Sequence, residues 1–287
     1  MTLDTASPAS APASTAEHHP AIAFIGGGNM ASAIIGGLLR QGTPASQIEV
    51  VEPWEEARAA LRAHHGIEAH PEAGTALERA GVVVWAVKPQ TFKEAARQAR
   101  PYTANAVHLS VAAGIRSGSI AAWLGLECVV RAMPNTPALI ARGMTALYAR
   151  PQVSSAQRAA VQHVLSSTGE LLWVEEESQL DAVTALSGSG PAYVFLFLEA
   201  MARAGVEMGL APEQAHQLAV GTFTGASELA RRSDESPAVL RQRVTSKGGT
   251  TFAAVQSMEQ ADVPGHFIRA MKAAQARARE LGDEFGK

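Results

Sequence analysis

The run Gly26-Gly27-Gly28-Asn29-Met30-Ala31 constrains this chain more than any other feature, because it sits between the apolar stretch Ile22 to Ile25 and a helix-like segment from Met30 to Gln41. Consecutive glycines interrupt any regular element, so the chain must pass from extended to helical structure within a few residues. The spacing matches G-x-G-x-x-G/A in the strand, turn and helix setting that this dinucleotide fingerprint requires. Gly26 permits the tight turn, Gly28 lets the backbone approach a pyrophosphate, and Ala31 is small enough for close helix and strand packing. Asn29 and Met30 open the helix, whose free N–H groups and dipole favour an anion. A glycine-rich turn without a ligand is the plain alternative.

A second β-branched run, Ile48 to Glu52, precedes a helical segment from Trp54 to His65. Glu52 ends the strand 21 residues past Ala31, where an acid would hydrogen-bond a ribose 2′-hydroxyl and favour NADH. Arg58 and Arg62 follow one and two helical turns later. They could meet the 2′-phosphate of NADPH or lie on a solvated helix face, so both cofactors stay open. Val82 to Val87, apolar throughout, reads as a strand covered on both faces, and Ala106 to Val111, Cys128 to Arg131 and Thr145 to Tyr148 continue the series. This alternation predicts a parallel sheet. Strands are expected to stop there, followed by a helix from Ser154 to Ser167.

Past Glu175-Glu176-Glu177 the chain reads as helix, with segments opening at Pro191, Pro212, Pro237, Thr250 and Pro264. The expected organisation is an α/β Rossmann-type dinucleotide-binding domain over residues 21–176 and an all-α domain over 177–287. Its alanine-rich helices are apolar over much of their circumference and are expected to pack against a second subunit as a dimerisation domain. Residues 1–20 contain 14 Ala, Ser, Pro and Thr and no Lys or Arg, and read as a disordered tail rather than a targeting signal.

With 24 basic and 27 acidic residues the net charge is −3, which offers no footprint for nucleic acid and points to a small-molecule or protein partner. The longest apolar runs, Gly81 to Val87 and Ala192 to Leu198, fall short of the ~20 residues a membrane helix needs. A single cysteine, Cys128, expected as an inert thiol buried in a strand, suits a reducing compartment, here the cytoplasm.

Three more segments sit where strands end: Ala86-Val87-Lys88-Pro89, Ala112-Ala113-Gly114 and Met133-Pro134-Asn135-Thr136-Pro137. Open α/β sheets bind ligands at such ends. Lys88 is a candidate cofactor contact or else a surface lysine, and the small residues at 112–114 would let the backbone lie against a nicotinamide ribose or phosphate. Two prolines stiffen the turn that presents Asn135, as they would in a purely structural loop. In the helical half, Ser187-Gly188-Ser189-Gly190-Pro191 and Thr245-Ser246-Lys247-Gly248-Gly249-Thr250-Thr251 are candidate anion nests at helix starts. Capping explains the first equally well, while the second is richer in glycine and hydroxyls than a cap requires. No H-x-H or H-E-x-x-H spacing supports a metal, and no G-x-S-x-G elbow is present.

Taken in order, IAFIGGGNMASAIIGGL, WAVKPQ, SVAAGI, MPNTP, LSGSGPAYVF and TSKGGTT resemble the pyrroline-5-carboxylate reductase family over about residues 21–283. The resemblance implies hydride transfer from NADPH or NADH to C5 of Δ1-pyrroline-5-carboxylate, giving L-proline, the last step of proline biosynthesis. It implies a substrate site at a helical dimer interface, with the backbone of Gly248, Gly249 and Thr250 holding the carboxylate and Thr251 on the ring nitrogen. Ser246 is a second polar contact. Dimers of family members often assemble into a ring-like decamer. Glu52 departs from the family, which commonly carries Ser, Thr or Asn there with a nearby Arg. Two other readings are compatible with the residues: another imine or keto-acid reductase of similar build, and a non-catalytic NAD-binding protein.

Overall fold

The structure is a computed structural model that describes residues 21–286; the expected tail, residues 1–20, lies outside the described residues. Among the described residues seven strands form one sheet: β1 (Ala21–Ile25), β2 (Ile48–Val51), β3 (Ala80–Trp85), β4 (Val107–Ser110), β5 (Val129–Met133), β6 (Gly143–Ala149) and β7 (Gly169–Trp173). Their spatial order is β2-β1-β3-β4-β5-β6-β7, and β1 to β5 are mutually parallel. Helices α1 (Asn29–Arg40), α2 (Glu55–His65) and α5 (Ser155–Ser166) cover one face, while α3 (Pro89–Ala99) and α4 (Ser117–Leu124) cover the other.

Alternate residues of each strand feed two cores. Phe24 and Val84 join Ile34, Leu38 and Leu61 on one side, and Ile25 and Trp85 join Phe92, Ile120 and Leu124 on the other. Burial on both faces is why β3 is apolar at every position.

Two expectations about the sheet fail. β6 runs antiparallel to β5, pairing Val130 with Ala149, because the nine residues between them are too few for a crossover. Strands also do not stop at Tyr148. β7 pairs with β6 in parallel across the α5 crossover, and as a half-exposed edge strand it carries a weak pattern. Cys128 precedes β5 rather than lying in it and is half-buried.

The helical half comprises α6 (Gln179–Val183), α7 (Gly190–Glu207), α8 (Pro212–Arg232), α9 (Pro237–Arg243), α10 (Thr250–Gln260) and α11 (Val263–Phe285). Pro191, Pro212, Pro237 and Pro264 occupy first turns, where a missing N–H costs nothing. α11 returns to the sheet: Arg116 pairs with Asp283 at 2.6 Å, and the Ser119 hydroxyl donates to the Gly286 carbonyl at 3.0 Å. Between the halves, Glu177 accepts from the N–H and hydroxyl of Ser117 at 2.6 and 2.5 Å and from Arg131 at 2.6 Å. Phe195, Leu196, Leu218, Leu229 and Met258 remain exposed on the helices. No helix among the described residues is long and apolar enough to cross a membrane.

Inside the sheet, the Trp85 indole N–H donates to His108 Nδ1 at 2.9 Å. Indole can only donate, so the remaining imidazole proton sits on Nε2 and reaches the Thr103 carbonyl at 3.0 Å. Burial holds this neutral ring down to a pKa of about 4, against a carbonyl hydrogen bond that works the other way. The unfolded chain therefore takes up a proton that the folded chain refuses, and stability falls as pH drops from about 6.5 toward 4. Urea unfolding at pH 7 and 4.5 is expected to lose about 2–3 kcal/mol through this group. His108→Gln should remove that share of the pH dependence; an unchanged difference would refute the assignment.

Candidate active site

The carboxyl ends of β1 to β5 share one edge of the sheet. The strand order turns about β1, with β2 on one side and β3 on the other, and such a switch point opens a crevice. Gly26 enters it at φ +97°, with its N–H donating to the Val51 carbonyl at 2.8 Å. A Cβ there would lie 2.6 Å from the Ala86 carbonyl oxygen, so glycine alone lets the loops after β1 and β3 meet. Gly27 donates its N–H to Glu52 Oε2 at 2.7 Å, and a Cβ on it would meet Leu61 Cδ1 at 2.6 Å.

Gly28 is different. Nothing lies within 4 Å of the position a Cβ would take, and as the residue preceding α1 it leaves the helix start without a side-chain cap. Gly28 and Asn29 are exposed, Met30 is half-buried and Ala31 is fully buried against the sheet. An open cradle lined by free backbone N–H groups fits the pyrophosphate of a nicotinamide dinucleotide.

Glu52 is buried, with 6% of its surface exposed. Besides Gly27, its carboxylate receives the Trp54 N–H at 3.0 Å. Arg58, which the sequence left free for a phosphate, donates to the carbonyls of Glu52 and Pro53 at 2.9 and 2.7 Å and pairs with Glu55. Arg62 pairs with Glu68 at 2.9 Å. Across the crevice, Ala86 and Val87 are half-buried and Lys88 is exposed immediately before α3, which Pro89 opens.

Ala112 is buried and Ala113 exposed. Gly114, at φ +75°, lies under α11, where a Cβ would come within 3.2 Å of Leu281 and Phe285. The smallness of that segment thus serves packing of the last helix as well as access to the crevice. Asn135 spends its side chain on protein: Oδ1 accepts from the Met144 N–H at 3.0 Å, and Nδ2 donates to the carbonyl and hydroxyl oxygens of Ser187. It lines an apolar cavity of about 820 Å³ together with Pro191, Tyr193 and Phe267.

The segment from Ser187 to Pro191, read as a nest or a cap, begins inside helical backbone. Thr184–Gly188 is a single wide turn in which the Ser189 N–H donates to the Thr184 carbonyl at 2.8 Å, so the chain runs helically from α6 into α7. α7 still opens at Gly190, and no side chain caps it. The other segment keeps its expected form. Gly248 stands at φ +76°, Gly249 precedes α10, and no side chain caps the helix. Ser246, Lys247, Gly248, Thr250 and Thr251 are exposed in the single chain, with Gly249 half-buried. A Cβ on Gly249 would meet Ser246 Oγ at 2.7 Å.

Residues 177–281 match the family model for pyrroline-5-carboxylate reductase dimerisation, and residues 21–114 match that for coenzyme F420-dependent NADP oxidoreductases. A pyrroline-5-carboxylate reductase of Pseudomonas aeruginosa is 45% identical over 270 residues, covering 93% of this chain and 99% of the relative. The chain belongs to the pyrroline-5-carboxylate reductase family. The structure of the family's Coxiella burnetii member superposes with a TM-score of 0.86 at 36% identity, covering 92% of this chain and 99% of that one. A Plasmodium falciparum pyrroline carboxylate reductase with NADP bound superposes with a TM-score of 0.82 at 26% identity, covering 92% and 98%.

Sequence reasoning missed Trp54, which follows Glu52 across a proline and is 71% exposed. Its signal was present, since a large aromatic in a polar turn at a strand end has no core to join. The crevice also yields a direct test. Gly26→Ala forces a Cβ against backbone in a left-handed conformation and is expected to weaken NADH and NADPH binding by about tenfold or more, matching the ~1–3 kcal/mol of strain involved. Fluorescence titration of folded variant would contradict the crevice if affinity were unchanged.

Proposed function

We propose that this chain reduces Δ1-pyrroline-5-carboxylate to L-proline with hydride from NAD(P)H, the last step of proline biosynthesis. The observation that carries the proposal is the bare start of α10, which no side chain caps; the Gly249 N–H turns back to the Ser246 carbonyl at 3.0 Å, which leaves the N–H groups of Gly248 and Thr250 facing a ligand. Such a start receives a substrate carboxylate without any arginine. The cofactor supplies the hydride that adds to C5, and the imine nitrogen, protonated beforehand from solvent, becomes the amine of proline. Gly26, Gly28, Asn29, Met30 and Ala31 would hold its pyrophosphate, with Glu52 at the ribose and Ala86, Val87, Lys88, Pro89, Ala112, Ala113, Gly114 and Asn135 along the crevice.

The Thr251 hydroxyl is too weak an acid to protonate an imine alone. It orients the ring nitrogen or relays a solvent proton, with Ser246 as a second polar contact. Holding ring and nicotinamide at reacting distance is then the protein's main contribution.

The exposure of Ser246, Lys247, Gly248, Thr250 and Thr251 and of the apolar helix faces supports a homodimer whose second copy completes the substrate pocket. The family resemblance further favours dimers gathered in a decameric ring, in the cytoplasm, with residues 177–287 as the assembling unit after a dinucleotide-binding unit over 21–176.

Absorbance at 340 nm should fall when purified protein receives pyrroline-5-carboxylate with NADH or NADPH. Thr251→Ala is expected to lower kcat by about tenfold to a hundredfold without abolishing it. If neither cofactor is consumed while both bind, the substrate assignment is wrong.

A further inference from the structure

The adenosine end of the crevice, at the close of β2, is built around one buried carboxylate. Glu52 lies directly beneath the glycine loop, held by the N–H groups of Gly27 at 2.7 Å and Trp54 at 3.0 Å. Two N–H bonds occupy two of the roughly four lone-pair positions of a carboxylate, so acceptor capacity for a ribose hydroxyl remains. A 2′-phosphate, with about two negative charges, would meet that carboxylate at close range with Glu55 and Glu56 in the first turn of α2 beside it.

Neutralising cations are committed elsewhere. Arg58 donates to two backbone carbonyls and to Glu55, with its side chain largely buried. Arg62 is held by Glu68, and Glu49 holds both His70 and Arg79. Releasing Arg58 toward a phosphate would strip hydrogen bonds from the carbonyls that close the β2 turn. The turn also projects Trp54 into solvent, although its backbone is fixed by the same carboxylate that fixes the glycine loop. A wide aromatic face beside a ribose site suits an adenine ring.

We infer that the site selects the dinucleotide lacking a 2′-phosphate, NADH, with Glu52 as the specificity-determining residue and Trp54 as the platform for adenine. This rests on the reductase reading for the cofactor's presence but not for its substrate. Glu52 acts by charge as well as by hydrogen bonding, so its effect belongs to the ratio of the two affinities. Trp54 meets a part common to both cofactors and belongs to their shared affinity.

The test is equilibrium binding of NADH and NADPH to the full chain, without substrate, followed by nucleotide fluorescence. Wild type is expected to bind NADH at least about tenfold tighter, the ratio produced by ~1.4 kcal/mol of differential binding. Equal affinities, or tighter NADPH, would overturn the inference. Glu52→Ser should bring the ratio to unity or reverse it. Glu52→Gln keeps an oxygen for the Gly27 N–H while removing the charge, so it should move the ratio the same way even if the serine variant fails to fold. A Gln variant with the wild-type ratio would remove Glu52 from the selection. Trp54→Ala should weaken both cofactors by a similar factor, and a shift confined to one cofactor, or no shift, would reject the platform. Because pyrroline-5-carboxylate is absent throughout, a failure here is separable from failure of the substrate assignment.

Discussion

The space where β1 leaves the sheet governs the cofactor end of this molecule. Gly26 has the Ala86 carbonyl against it and Gly27 has Leu61 and Glu52 against it, whereas Gly28 has nothing. The first two glycines are therefore fixed by the protein's own packing, and the third by what the protein leaves empty. Three loops close on one another and leave the start of α1 open to the crevice. Preorganisation of this kind lowers the ordering cost that a flexible glycine run would otherwise impose.

A second constraint joins the halves. Glu177 stands where the sheet ends and the helices begin, and it gathers the start of α4 through Ser117 and β5 through Arg131. Burial alone would raise its pKa. The hydrogen bonds from the Ser117 hydroxyl and N–H and from Arg131, with the charge of the guanidinium, outweigh that and hold the carboxyl below its usual range. A mostly buried guanidinium without this partner would be left uncompensated, so the ion pair is costly to break whatever its net contribution. α11 adds a second tie at Arg116 and Ser119. The start of α4 is thus gripped by the first residue region and the last helix of the helical half.

What the sequence made legible follows from how local each signal is. The glycine loop, β3 and the proline-opened helices are written in neighbouring residues, and they appear where expected. β7 was hidden because an edge strand with alternating half-burial needs only a faint pattern. The orientation of β6 was hidden because it is set by the length of a connection rather than by strand composition. For Ser187 to Pro191 the sequence left nest and cap open, because Ser, Gly and Pro before an apolar run describe a helix start as well as they describe a wide turn inside helical backbone; the structure has such a turn over Thr184–Gly188, with the Met133 side chain close against Gly188. For Arg58 the helical spacing was readable, but its capture by the carbonyls of Glu52 and Pro53 depends on how the β2 turn folds back.

The two ends of the site are therefore determined differently. The glycine loop, Glu52 and the loop after β3 are positioned by contacts inside one chain, several of them backbone to backbone or backbone to buried carboxylate. The start of α10 rides on a helical half that exposes Phe195, Leu196, Leu218 and Leu229 and is not itself covered. Hydride transfer demands that donor and acceptor carbons meet at about 3–3.5 Å. In the proposed dimer, burial of those apolar faces is what fixes the α10 start with the necessary precision. On that proposal cofactor recognition belongs to the single chain and turnover to the assembly, so a separated chain with an intact crevice would bind nucleotide without catalysing its oxidation.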